Sequence, residues 1–304
     1  MTSKRALMIY NPSSGRKRNH KKFPMVIEKL TSIGYDIRIH ASKDVAKLES
    51  LIKHACANRW EALFVAGGDG TINTVFQFLS AEQYRPVVGV FPFGTSNEFA
   101  QVIGLPKNLF TILSYIEKGE TSFVNIGKLG ERYFANIAAA GWLTDITYET
   151  PTALKSTFGE FAYYPYFIKK FLRRRPSESI SIHVLPDRQI SDVSFFLLMN
   201  GNSVGPFERF IPQESKSDGA FHLITCHRCN RLYFFFILML TVLRLGNPRS
   251  LINHQEVVDS EIYLPDAMPI NVDGEQHKIT ERKFRVLSNH LQVFTANSHA
   301  IQSG

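Results

Sequence analysis

One short stretch narrows the folds open to this chain more than any other. Gly67-Gly68-Asp69-Gly70-Thr71 stands directly between an apolar run at residues 62–66 and a segment of helical spacing at residues 72–79. Consecutive glycines let the backbone adopt positive φ and approach a ligand closely, and a helix N-terminus offers free N–H groups and partial positive charge to an anion. Strand, glycine turn and helix in that order open a βαβ unit and predict a phosphate at the turn. Asp69 would repel a phosphate; it suits the shell of a Mg²⁺ ion or a helix cap. A glycine turn capped by Asp69 accounts for the motif taken alone, so its surroundings decide.

Those surroundings repeat the pattern. Residues 6–10, 36–40, 62–66 and 87–91 read as strands, several apolar throughout, as in a sheet covered on both faces. Residues 23–33 and 44–57 have helical spacing, so the series predicts a parallel sheet with right-handed crossovers. Two more loops follow strands: Asn11-Pro12-Ser13-Ser14-Gly15-Arg16 after the first, and Phe93-Gly94-Thr95-Ser96-Asn97-Glu98-Phe99 after the fourth. In a parallel sheet all three loops lie at the carboxyl ends of strands, where open α/β folds bind ligands. Neither the dinucleotide fingerprint nor the Walker loop is present.

Beyond Ser122 the rhythm changes to closely spaced strands at residues 123–129, 133–139, 180–185, 193–199, 220–225, 261–264, 270–272 and 284–287. That run predicts an antiparallel sandwich or barrel, interrupted by helical insertions at residues 158–175 and 230–245. The expected division is an α/β nucleotide domain over residues 1–122 and a β-sandwich domain over residues 123–304, with the last residues free to pack back on the first domain.

Composition removes other classes. The chain has 304 residues, 44% of them hydrophobic, with 35 Lys and Arg against 27 Asp and Glu, which excludes disordered, collagen-like and membrane-spanning types. The net charge of +8 is spread along the chain and suits phosphate or an anionic membrane surface as well as nucleic acid, for which no reader motif is present. Three cysteines, Cys56, Cys226 and Cys229, do not make a disulfide framework, and the N-terminus lacks the long apolar core of a secretory signal. A cytoplasmic protein is expected. Cys226-His227-Arg228-Cys229 has the spacing of a metal knuckle but no second pair to complete it. The longest apolar run, residues 232–243, is too short to cross a bilayer. An aromatic stretch at residues 158–167 leads into basic residues 169–175; this is either a packed helix with a solvated end or a face that docks on anionic lipid.

Together the motifs resemble the diacylglycerol kinase catalytic-domain superfamily, in its soluble bacterial form related to sphingosine and ceramide kinases. Asn11 to Gly15 is similar to that family's first loop, Gly67 to Thr71 to its G-G-D-G-T loop, Gly94 to Asn97 to its G-T-x-N loop, and Asp273-Gly274-Glu275 to its D-G-E element. The resemblance implies an α/β domain of NAD kinase type, an antiparallel β-sandwich, and an active site in the cleft between them. It implies that Asn11, Ser14, Gly15, Arg16, Ser42, Gly67, Gly68, Asp69, Gly70, Thr71, Ile72, Asn73, Thr95 and Asn97 surround ATP. It implies a Mg²⁺ site around Ser217-Asp218-Gly219-Ala220, held by Ser215, Asp218 and Ala220. Glu275 is favoured as proton acceptor, with Asp273 sharing that role or holding metal and Asp69 completing the catalytic carboxylates. Without the family, Asp273-Gly274 reads as a plain hairpin turn. Glu98 departs from the pattern, standing where the family usually has Asp.

The implied activity is ATP-dependent transfer of the γ-phosphate to a hydroxyl of diacylglycerol or a related lipid alcohol. The alternatives are an NAD kinase-like phosphotransferase and a catalytically silent nucleotide- or lipid-binding module. The implied partners are a lipid substrate, an anionic membrane surface and a second copy of the chain.

Overall fold

The computed structural model describes residues 3–15, 20–41, 44–141, 179–185, 188–200, 221–227, 252–263, 268–279 and 283–296. The chain begins as β1 (Lys4–Tyr10), α1 (Phe23–Ser32), β2 (Tyr35–Ala41), α2 (Val45–Ala57), β3 (Ala62–Gly67), α3 (Asp69–Leu79) and β4 (Val87–Pro92), followed by α4 (Glu98–Val102) and α5 (Leu109–Lys118). β1 pairs in parallel with β2 and β3, and β3 with β4, giving the order β4-β3-β1-β2. Every residue of β3 is buried, as its unbroken apolar run requires of a central strand covered on both faces.

The helices cover that sheet with apolar stripes. α2 buries Leu48, Ile52, Ala55 and Cys56, one face of a helix, and starts where Asp44 Oδ1 accepts from Lys47 N at 3.0 Å. α3 starts at Asp69 rather than Ile72, because the Gly68 carbonyl already accepts from Thr71 N and Ile72 N. α5, which the sequence patterns passed over, is capped by Asn108 and ends at Gly119 with φ +69°.

The remaining strands are β5 (Thr121–Leu129), β6 (Arg132–Phe134), β7 (Ile137–Gly141), β8 (Ile180–Val184), β9 (Arg188–Asn200), β10 (Phe221–His227), β11 (Ile252–Val257), β12 (Asp259–Tyr263), β13 (Ile270–Val272), β14 (Glu275–His277) and β15 (Lys283–Phe294). Their pairings with one another are antiparallel, as expected, around a second core that includes Phe134, Leu198, Phe221 and Phe284. β15 joins the two regions: it pairs antiparallel with β5 and β12, while Val293 pairs in parallel with Val88 of β4. The sheet path therefore runs β14-β13-β7-β9-β8-β12-β15-β4-β3-β1-β2 without interruption. One strand expected over residues 133–139 is two, broken at Ala135 and Asn136, whose backbone N–H groups leave the ladder for a side chain described below.

The expected insertions at residues 158–175 and 230–245, the aromatic and basic segment, and Cys229 lie outside the described residues. Cys56 and Cys226 are buried free thiols. Among the described residues no helix is long and apolar enough to cross a membrane.

Candidate active site

Three loops meet at the carboxyl ends of β1, β3 and β4, and their contact is backbone against backbone. Gly15 has φ +63°, and a Cβ there would lie 1.9 Å from the Phe93 carbonyl oxygen. A Cβ on Gly94 would lie 2.6 Å from Gly68 Cα. Only glycine fits such an approach, so these residues bring the loops into one cluster. Phe93 N and Gly94 N both donate to the Gly67 carbonyl, at 2.9 and 3.1 Å.

Side chains fix the same cluster from within. Asn11 Nδ2 donates to Thr71 Oγ1 at 2.9 Å, its Oδ1 accepts from Ser13 N at 3.0 Å, and its carbonyl accepts from Ser14 Oγ at 2.9 Å. Asn97, with φ +52°, donates from Nδ2 to the Gly94 carbonyl at 3.0 Å. Gly70 and Thr95 are exposed, whereas Ile72 is fully buried in the core. Asp69 turns toward α4: it accepts from Phe99 N at 3.4 Å and from the N–H groups of Asn97 and Glu98. Burial pushes the Asp69 pKa up, against the pull of those donors. Asp69 thus ties the second loop to the third. Arg16 and Ser42 lie outside the described residues.

Across from these loops stands the Asp273-Gly274 turn. β13 and β14 pair Val272 with Glu275, leaving two residues at φ +46° and +90°, the signature of a type I′ hairpin. The Asp273 carboxylate is clamped by three backbone donors: Ala135 N to Oδ2 at 2.8 Å, Asn136 N to Oδ1 at 3.0 Å and Ile137 N to Oδ1 at 2.8 Å. Its carbonyl accepts from Asn73 Nδ2 at 2.9 Å, which joins the turn to α3. Burial pushes the Asp273 pKa up to about 6, the three N–H groups oppose that rise, and the negative charge of Glu98 adds to it. Glu275 is different: its side chain is 59% exposed and lies 3.7 Å from His277 Nε2.

Among the described residues no group of three or more His, Cys, Asp or Glu is arranged to hold a metal ion. Asp69 and Asp273 each face backbone donors and stand in no such group, so they do not form a ready-made Mg²⁺ cage. Ser215, Asp218 and Ala220 lie outside the described residues.

The sequence and the architecture have counterparts. Residues 5–129 match the model of the diacylglycerol kinase catalytic domain. A diacylglycerol kinase of Staphylococcus saprophyticus is 32% identical over 296 residues, covering 97% of this chain and 96% of that protein. The chain belongs to the diacylglycerol kinase family. A second family member, a diacylglycerol kinase of Staphylococcus epidermidis, is 33% identical over 294 residues, covering 96% of this chain and 92% of its own length. The fold is shared with a diacylglycerol kinase structure from Bacillus anthracis at TM-score 0.72 and 18% identity, covering 98% of this chain and 99% of that one.

The family motifs name the side chains at this site but not what holds them. Sequence reading missed the N–H groups of residues 135–137 and the bond that Gly274 N donates to Asn271 Oδ1 at 2.9 Å. It also missed Gln77, one helical turn beyond Asn73, which bonds to β6. A backbone donor leaves no mark in a side-chain motif; the two amides at 73 and 77 were the one available signal.

Proposed function

We propose that this protein is an ATP-dependent lipid kinase that transfers the γ-phosphoryl group of ATP to a hydroxyl of diacylglycerol or a related lipid alcohol. The observation that carries this reading is the juxtaposition of the glycine-loop cluster with the Asp273-Gly274-Glu275 turn, joined by the bond from Asn73 to Asp273. Phosphoryl transfer asks for positioning and charge neutralisation more than for covalent chemistry, with one carboxylate near the attacking hydroxyl.

The roles follow from exposure and bonding. Gly67, Gly68 and Gly70, with Gly15 and Thr95, present backbone N–H groups to the phosphates, and Thr71, whose own N–H bonds to the Gly68 carbonyl, stands at the start of α3 beside them. Asn11, Ser14 and Asn97 shape those loops, and Asp69 locks the third loop to the second. Asp273, clamped by three N–H groups, holds the turn in place. Glu275, exposed beside it, accepts the proton of the lipid hydroxyl as the oxygen attacks phosphorus. Mg²⁺ at Ser215, Asp218 and Ala220 rests on the family motif, as do Arg16 and Ser42 at the nucleotide.

The same reading divides the chain near residue 122 and assigns residues 158–175 to transient contact with an anionic membrane surface, reached from the cytoplasm. Buried free thiols at Cys56 and Cys226 suit a reducing compartment. A second copy of the chain remains a proposed partner.

The test is transfer of labelled phosphate from ATP to diacylglycerol, monoacylglycerol, a sphingoid base and NAD by the purified chain. A labelled lipid is expected. NADP as the product, or no product from any acceptor while ATP still binds, overturns the reading.

A further inference from the structure

Helix α3 begins in the glycine loop, carries Asn73 and Gln77 at positions i and i+4 on one face, and ends at its cap residue Ser80. Each of these bonds to a different piece of the C-terminal strands. Asn73 Nδ2 donates to the Asp273 carbonyl at 2.9 Å. Gln77 makes two bonds to the β5–β6 hairpin: its Nε2 donates to the Glu131 carbonyl and its Oε1 accepts from Tyr133 N, both at 3.0 Å. At the helix end the Ser80 carbonyl accepts from His290 Nε2 of β15 at 2.9 Å. The other face of the helix, Ile72, Val75, Phe76 and Leu79, is buried in the N-terminal core.

α3 is therefore fixed on both sides, by apolar packing and by a hydrogen-bonded stripe. The partners of Asn73 and Gln77 are main-chain atoms, which cannot rotate away as side chains do. Asn73 Oδ1 is buried without a partner among the described residues, so the Asp273 bond is the one that orients this amide. The family resemblance sets Asn73 beside ATP, yet its donor points to the Asp-Gly turn.

We propose that Asn73 and Gln77 are positioning residues for phosphoryl transfer: they make α3 a strut that holds the Asp273-Gly274-Glu275 turn at a set distance from the glycine loops. This rests on the reading that Glu275 of that turn accepts the proton. A misplacement of about 1 Å can cost on the order of a hundredfold in rate, so a strut of this kind acts on turnover and leaves nucleotide affinity alone.

The experiment uses the full chain and four variants: Asn73→Ala, Asn73→Ser, Gln77→Met and Gln77→Glu. ATP affinity is measured by calorimetry, and kcat and KM with dispersed diacylglycerol. Asn73→Ala and Gln77→Met are expected to lower kcat by roughly ten- to a hundredfold with ATP affinity within about threefold of the parent. Asn73→Ser, which keeps a shorter donor, and Gln77→Glu, which keeps the acceptor for Tyr133 N, should fall between. Retained ATP binding also establishes that a variant is folded, and Gln77→Glu stands in should Gln77→Met not fold. Weaker ATP binding with unchanged kcat in Asn73→Ala overturns the proposal and makes Asn73 a nucleotide ligand. A lowered melting temperature with unchanged kcat in the Gln77 variants overturns it in favour of a purely structural stripe. Glu275→Gln with parental kcat is a separate result, which sinks the proton-acceptor reading on which the proposal rests.

Discussion

A methyl group is a large object where two loops touch through their backbones. In Gly94→Ala the added Cβ meets Gly68 Cα at 2.6 Å and Asn97 Oδ1 at 2.8 Å, so a phosphate loop must move. The variant should lose ATP affinity by roughly tenfold or more, about 1.4 kcal/mol, in a calorimetric titration. Gly70→Ala is the contrast: a Cβ there has nothing within 4 Å, so the fold is kept and any lost ATP affinity reports how closely the nucleotide approaches. Asp273 gives the pH dependence. Its pKa is pushed up to about 6, so the folded chain holds a proton that the unfolded chain releases. The stabilising contribution is present below the unfolded carboxylate value of about 3.9 and is lost as pH rises through about 6. The three N–H bonds are stronger to the ionised carboxylate than to the neutral acid, so the clamp loosens and kcat should fall as pH drops below that region. Removing the negative charge in Glu98→Gln eases ionisation, and the acid limb of the kcat profile should move to lower pH. An unmoved limb contradicts the coupling. The carboxylates of this site were legible as family motifs. Their partners, the N–H groups of residues 97–99 and 135–137, were not, since every residue but proline carries such a donor and only the fold selects among them.

Elements differ in how much of themselves they show in sequence. β3 was readable because an unbroken apolar run has no other use in a short strand, and α2 because Leu48, Ile52, Ala55 and Cys56 recur at helical spacing. β11 was not: Asn253, His254, Gln255 and Glu256 form a polar run that is a strand only because β10 lies beside it. Likewise the break between β6 and β7 is imposed by Asp273, 136 to 138 positions away in sequence. Local caps can be tested locally. Asp44→Ala removes the acceptor for Lys47 N at the start of α2 and should cost about 1 kcal/mol in chemical denaturation with kcat unchanged. A loss of turnover would tie α2 to the site, which the geometry does not.

The whole molecule is closed by its last described strand. Phe294, near the end of the chain, is buried in the N-terminal core with its ring centroid 6.2 Å from that of Phe64. Phe294→Ala should therefore destabilise the α/β region by about 3 kcal/mol or more in equilibrium unfolding, although it lies far from that region in sequence. A change confined to the C-terminal strands would mean that β15 does not bind the two regions together. The same closure brings β13 and β14 up to the glycine loops, where Glu275 takes the proton in the proposed reaction. Transfer of labelled phosphate from ATP to diacylglycerol is measured for the parent chain and for Glu275→Gln, alongside ATP affinity and melting temperature. The parent should make labelled lipid, and the variant should lose roughly a hundredfold or more in kcat with affinity and melting temperature unchanged. Parental turnover in Glu275→Gln, or no lipid product from the parent, would contradict it.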